Sequence, residues 1–471
     1  MSNSESIPVG VTAPIAPLGL IESYRAARRN VLELIPASAY EQPYLKGKGR
    51  SRWIMLMDPD ALQHVLLTKE DDYPKSAVLR RIMTPREGSN LIISTGEDWH
   101  RQRRAMSPAF TPRAIQASAR SVTDASEKLL NRLAQKDDEI VDLFPQMVET
   151  TCDVICDLAL SGREAIDRTT LTDAVNRYVE TIGRISILDV LGVPNWVPRP
   201  DALKDRSRVR LDKMADHIIE VRRARGPSSP PDLLDLVIEA GQTENGLEKL
   251  EIRNNLLGFL FAGHETTALA VTWSLYLLAF DPDVQRRAQE EVDTILDGRP
   301  ATGDDLPSLG YIRQILEEAL RLYPPAGFLT RTAAQADQIG EHEIAKGTQV
   351  ILPIYAMHRH EMLWEKPLAF DPDRFSREAV RSRHRFSYLP FGGGPRICIG
   401  AAMALGEAQI ILASLLSQYS VEIQEGFTPD PRMWFTLRPG GGMPLRVRAR
   451  TKRYSAVSDT TSGREPARLS A

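Results

Sequence analysis

The ten residues FGGGPRICIG, positions 391–400, set one cysteine among four glycines. The whole chain holds only three cysteines in 471 residues. A structural thiol packs as a small hydrophobe among branched apolar side chains. Cys398 is flanked instead by backbone that Gly392, Gly393 and Gly394 leave bare, so the loop can turn and approach a ligand closely. Such a loop suits a sulfur met by something large, with amide N–H groups turned toward it. Thiolate is the ligand form of cysteine and needs positive or hydrogen-bonding surroundings. Gly400 opens the helical pattern AAMALGEAQIILASLLSQY, whose N-terminal end favours an anion. Phe391 could shield one side, and Arg396 could pair with an anionic group of a bound cofactor. The plainer alternative is a flexible loop with an incidental cysteine.

Composition narrows the field. Apolar residues make up 42% and charged residues 26%, ordinary for a soluble globular protein. A net charge of −3 gives no global pull toward nucleic acid or an anionic membrane. Three cysteines argue against a disulfide scaffold and fit a reducing, cytoplasmic setting. Cys152 and Cys156 lie one helical turn apart in TCDVICDLAL, which reads as core packing. The start, MSNSESIPVGVTAPIAPLGL, lacks a signal-peptide pattern and the apolar length of a membrane anchor. Residues 1–20 are expected as a flexible arm, 21–450 as one domain, and 451–471 as a disordered tail. The apolar run over 256–280 carries His264, Glu265, Thr266 and Thr267 in its middle, so it reads as a buried core helix rather than a membrane span.

The rest of the chain reads as mainly α with a small β part. RWIMLM is a strand pattern, and Asp58-Pro59 opens a helix. From Glu97 to Ala240 helices are broken by Pro108, Pro112, Pro145 and the cluster from Pro194 to Pro200. Pro324-Pro325 stops the helix of LPSLGYIRQILEEALRLYPP. Short strands follow from Thr332, with a turn near Ile339-Gly340.

At this point FGGGPRICIG resembles the haem-binding signature of the cytochrome P450 family, a set of haem-thiolate monooxygenases. Other stretches are similar to that family's marks in the right order. EALR followed by LYPP and FDPDRF resembles its buried Glu–Arg–Arg network, here Glu318, Arg321 and Arg374. AGHETT resembles its acid–threonine pair, here Glu265 and Thr266, with Gly263 allowing a local bulge. WHRQRR resembles its tryptophan–three–arginine element. By that resemblance Trp99 and Arg103 hold a haem propionate, with Arg331 as another propionate partner; His100 and Arg104 remain surface residues. Phe391, Gly394, Arg396 and Gly400 line the haem loop, and Cys398 is the axial ligand.

The resemblance implies a single-domain cytochrome P450 fold, with haem between the long buried helix and the cysteine loop. It implies haem b, O2 as co-substrate and electrons ultimately from NAD(P)H: substrate-H, O2, two electrons and two protons give substrate-OH and water. Glu265 and Thr266 would deliver the protons. By family position, Phe261, Ala262, Ala326, Phe328 and Phe435 line a pocket for a hydrophobic small molecule. Electrons would come from a separate ferredoxin- or flavodoxin-like donor with its reductase. The basic residues of WHRQRR with Arg377, Arg381, Arg383 and Arg385 would form its docking face. A peroxide-using haem-thiolate enzyme, or a non-catalytic haem sensor or carrier, is the alternative.

Overall fold

The computed structural model describes residues 7–16, 18–47, 52–77, 79–80, 89–160, 170, 174, 177, 207–229, 231–242 and 246–450. The proline cluster from Pro194 to Pro200 and the segment 451–471 lie outside the described residues. Helices α1 (Leu20–Arg29), α2 (Gly96–Met106), α3 (Pro112–Leu133), α4 (Leu143–Leu160), α5 (Ser207–Arg225) and α6 (Leu233–Ala240) precede α7 (Lys249–Phe280). After it come α8 (Pro282–Leu296), α9 (Gly310–Leu322) and α10 (Ala401–Gln418).

The centre of the fold is α7. Its sequence is apolar on all faces, so it is stable only when surrounded. It packs against α4, α9 and α10. Glu251 caps its start by accepting from the Glu248 N–H at 2.9 Å. At its end Asp281 accepts from the Asp283 and Val284 N–H groups and begins α8, with Pro282 in the first turn. The helix runs unbroken through Gly263, so the expected bulge is absent. The glycine serves packing instead: a Cβ there would lie 3.0 Å from Ile155 Cδ1 of α4.

A small β part flanks these helices. Strands β1 (Tyr44–Lys46), β2 (Trp53–Leu56), β3 (Glu139–Asp142), β4 (Leu329–Thr332), β5 (Asp337–Ile339), β6 (His342–Ile344) and β7 (Gln349–Leu352) come first. They are followed by β8 (Tyr419–Ile423), β9 (Asp430–Met433), β10 (Leu437–Gly440) and β11 (Pro444–Ala449). One sheet has the order β1-β2-β7-β4, with β2 and β7 parallel and β4 antiparallel to β7. Its pleat sends the Arg331 side chain inward, where it is 4% exposed. A second sheet is β3-β11-β8, and β5-β6 and β9-β10 are hairpins.

Part of the arm expected to be flexible is docked. Tyr323 Oη donates to the Val9 carbonyl at 2.6 Å, and the Val11 N–H donates to Tyr355 Oη at 3.0 Å. The Ala37 N–H donates to the Pro14 carbonyl at 2.8 Å. These partners come from three distant segments, so no local pattern in the arm announces them.

Candidate active site

The cysteine loop is held by its glycines. Gly392 and Gly394 have φ of 75° and 68°, the region that side chains disfavour. A Cβ on Gly394 would sit 1.8 Å from the Leu66 carbonyl oxygen, so the loop is threaded directly against backbone. The Cys398 N–H donates to the Phe391 carbonyl at 2.9 Å, closing the loop and turning an exposed thiol out of it. The packed surroundings push that thiol up in pKa; the Gly400 N–H and the cations Arg103 and Lys75 act in the opposite direction. Phe391 packs on Ala270 of α7 with Leu320 and Leu405, so the loop lies against the helix one turn beyond Thr266.

Beside the loop is an excess of positive charge. Arg396 pairs with Glu70 and donates to the Ser94 carbonyl at 2.8 Å. Its guanidinium covers the buried Trp99 ring at 4.4 Å. Arg331 is buried with its Nε unpartnered, and burial lowers its pKa to about 10. Half-buried Lys75 bridges to Arg331 in the backbone, and desolvation brings its pKa down to about 7. Arg396, Arg331 and, while protonated, Lys75, whose Nζ also donates to the Ile92 carbonyl, face the single carboxylate of Glu70, an excess of positive charge that suits a ligand with two carboxylates. With the exposed Cys398 thiol, the donor set fits haem: Cys398 for the iron, and Arg331, Arg396 and Lys75 for the propionates. Sequence reasoning missed Lys75 and Glu70, since YPKS and LTKE carry no distinguishing pattern. The WHRQRR element divides. Trp99 supports Arg396, whereas Arg103 donates to the Ile397 carbonyl at 3.0 Å instead of joining the cation group. His100 and Arg104 are exposed.

On α7, Ala262 is exposed and Thr266 half-buried within a helix that is otherwise mostly covered. Thr266 Oγ1 donates to the Ala262 carbonyl at 2.6 Å. Glu265 has other partners: it accepts from Thr436 Oγ1 at 2.8 Å and pairs with Arg438 of β10. The acid and the hydroxyl expected as a pair are therefore held separately. Phe261 and Phe435 pack on the same apolar cluster as Ile399, the neighbour of Cys398. Ala326 is exposed, while Phe328 packs on the main core.

A buried acid missed in the sequence lies on α10. Burial pushes Glu407 up to about 8, partly opposed by a hydrogen bond from Thr267, and its Oε1 has no partner. Because its folded pKa lies above the ordinary carboxyl value, stability falls as pH rises from about 4.5 to 8. Glu407→Gln keeps the shape and removes this cost. Its gain over wild type in thermal denaturation is expected to grow across that window, reaching on the order of a few kcal/mol at the alkaline end. Parallel pH profiles would contradict the assignment.

The support for the loop is the Glu318 network. Arg321 donates to Glu318 twice, at 2.6 and 2.7 Å, and to the carbonyls of His358, Pro367 and Ala369. Arg374 Nε stands 3.5 Å from Glu318, and the Asp371 N–H donates to it at 2.9 Å. All three residues of the expected network are brought together. Arg383, expected on an exposed basic face, is turned inward, with its guanidinium 4.5 Å from the Trp364 and Phe375 rings. Arg377, Arg381 and Arg385 are exposed.

Residues 38–444 match the family described as Cytochrome P450. The chain is 30% identical over 426 residues to mouse cytochrome P450 4A10, covering 85% of this chain and 82% of that one. It is 30% identical over 428 residues to an Arabidopsis thaliana cytokinin hydroxylase, covering 86% and 80%. It is 30% identical over 419 residues to putative cytochrome P450 132 of Mycobacterium bovis, covering 85% and 88%. Among solved structures, the cytochrome P450DA heme domain aligns with a TM-score of 0.73 at 26% identity, covering 93% of each chain. The cysteine loop, the cation group and the Glu318 network thus occur in a chain that matches this family over most of its length, and the chain belongs to the cytochrome P450 family of haem monooxygenases.

Proposed function

We propose that this monooxygenase hydroxylates a hydrophobic small molecule bound against α7 at Ala262 and Thr266. The observation that carries this reading is the gap in burial at Ala262 and Thr266, beside Phe261 and Phe435 on the cluster shared with Ile399. Such an apolar wall with one hydroxyl favours a fatty acid, terpenoid, steroid or aromatic substrate. Iron protoporphyrin IX, once bound, supplies the oxygen chemistry, and the Cys398 thiolate donates electron density to it. One oxygen atom of O2 enters the substrate, and the other leaves as water with two protons and two electrons.

The protein's own task is orientation and proton delivery. Thr266 presents the hydroxyl nearest the gap. Glu265 must exchange its Arg438 contact to carry a proton there, so the β10 ion pair sets when the acid is available. If proton delivery through Thr266 is lost, solvent protons reach the oxygen without O–O cleavage, and O2 with the same two electrons and two protons leaves as hydrogen peroxide. Thr266→Ala is therefore expected to lower product per NAD(P)H about tenfold or more, with a matching rise in peroxide and an unchanged carbon monoxide spectrum. Unchanged coupling would remove Thr266 from the mechanism.

The electron donor is read as an acidic ferredoxin- or flavodoxin-like protein, working with its reductase in the cytoplasm. Exposed Arg104, Arg377, Arg381 and Arg385 support this, as does the closeness of Phe386, next to Arg385, to Gly393, where a Cβ would lie 3.1 Å from Phe386 Cε1. Titration with lauric acid, testosterone and camphor, followed by the spin-state shift of the haem, tests the substrate class. No shift with any of them, against a shift with a polar compound such as glucose, would overturn it. Reduction by an acidic ferredoxin should slow as ionic strength rises; salt-independent reduction would overturn the donor assignment.

A further inference from the structure

Away from the cysteine loop, a cavity of about 570 Å³ opens between the docked arm and the body of the protein. That volume lies within the range of small-molecule sites, roughly 300–1,000 Å³. Pro8 and residues 10–13 of the arm form one wall, and Tyr40, Tyr323, Tyr355 and Arg359 form the other. None of the residues assigned to the haem or to its substrate lines it.

Arg359 is unusual in this setting. It is only 4% exposed, yet among the described residues it makes no ion pair. Among the described residues its guanidinium makes one hydrogen bond, from Nη1 to the Tyr355 carbonyl, and it is long at 3.5 Å. The guanidinium stacks on the Tyr355 ring at 3.7 Å and approaches the Tyr323 ring at 5.6 Å. A buried cation is costly unless an anion or several acceptors answer it, and the aromatic faces answer it only partly. Arg359 lines the cavity, and its planar fork of N–H donors suits a carboxylate.

The rest of the lining describes the ligand. Tyrosine rings with Leu322, Val11 and Pro8 offer an apolar body a surface to lie on. Exposed Glu41, Glu361 and Lys366 also line it, leaving the lining with two acids beside Arg359 and one lysine, which favours a singly over a multiply charged anion. We propose that this cavity is a binding site for a small organic monoanion, a carboxylate on an apolar or aromatic body, seated on Arg359 and covered by the arm. Because Val9 and Val11 are tied to Tyr323 and Tyr355, ligand binding and arm docking would reinforce one another.

The test is calorimetric titration of the haem-loaded full chain with benzoate, with benzyl alcohol and inorganic phosphate as controls and the Soret band recorded in parallel. Benzoate is expected to bind without moving the Soret band, and more tightly than either control. Arg359→Gln should weaken it at least tenfold, about 1.4 kcal/mol. Ala13→Trp, which fills the cavity from the arm, should do the same and decides the matter if Arg359→Gln does not fold. No benzoate binding at millimolar concentration overturns the proposal. So does an affinity unchanged in Ala13→Trp, or binding that tracks a Soret shift and so belongs to the haem pocket.

Discussion

Replacing Cys398 with serine is expected to abolish the strongly red-shifted Soret band of the dithionite-reduced, carbon monoxide-bound protein and to bring oxygenation below detection. The effect is large because the thiol has no substitute. Among the described residues no group of three or more histidines, cysteines or acids is placed to hold a metal ion. The other two cysteines, Cys152 and Cys156, are buried on α4 with sulfurs 3.9 Å apart. A serine hydroxyl does not ionise near neutral pH and cannot donate electron density as a thiolate does. The fold should survive, since the loop is held by the Cys398 N–H bond to Phe391 and by Gly394 against Leu66, neither of which uses the sulfur. A serine variant that keeps the shifted band would show that Cys398 is not the ligand.

Glu318→Ala should have the second largest effect, and on a different quantity. The carboxylate is fully buried and answers the equally buried guanidinium of Arg321. Removing one partner of such a pair leaves the other charged and uncompensated, at a cost of roughly 3–5 kcal/mol. That is a large part of the stability of an ordinary domain. Arg321 also fastens the carbonyls of His358, Pro367 and Ala369, and Glu318 accepts from Asp371. The segment leading to the cysteine loop is therefore expected to loosen, and the variant to accumulate with little haem and a lowered melting temperature. Glu318→Gln, which keeps the shape but not the charge, should be intermediate. Full haem content and unchanged melting in Glu318→Ala would reduce this network to ornament.

Much of this protein was legible in its sequence because the decisive signals are local. The glycines around Cys398, the apolar α7 with AGHETT inside it, and EALR before LYPP each sit within a few residues of one another. Backbone conformation and helix-face spacing act over that range. The same reasoning marked the strand pattern of β2 and the apolar run over 256–280 that forms most of α7.

Where the reading departed from the structure, the deciding contact was distant in the chain. Gly263 was expected to bulge a helix, yet it is Ile155, more than a hundred positions earlier, that requires the missing side chain. Glu265 was expected beside Thr266, but Arg438 arrives on β10 to hold it. Arg383 was placed on a charged surface, and Trp364, Phe375 and Tyr388 draw it inward. Lys75, Glu407 and Arg359 have no sequence signature because desolvation makes them distinctive, and burial is a property of the assembled core. The sequence by itself determined the fold class, the cysteine loop and the buried helix packed against it, through backbone geometry and periodicity. Only the tertiary structure decided which charges are paired, which are left facing a cavity, and that the arm is fastened down, because Coulomb and hydrogen-bond partners are chosen by distance in space.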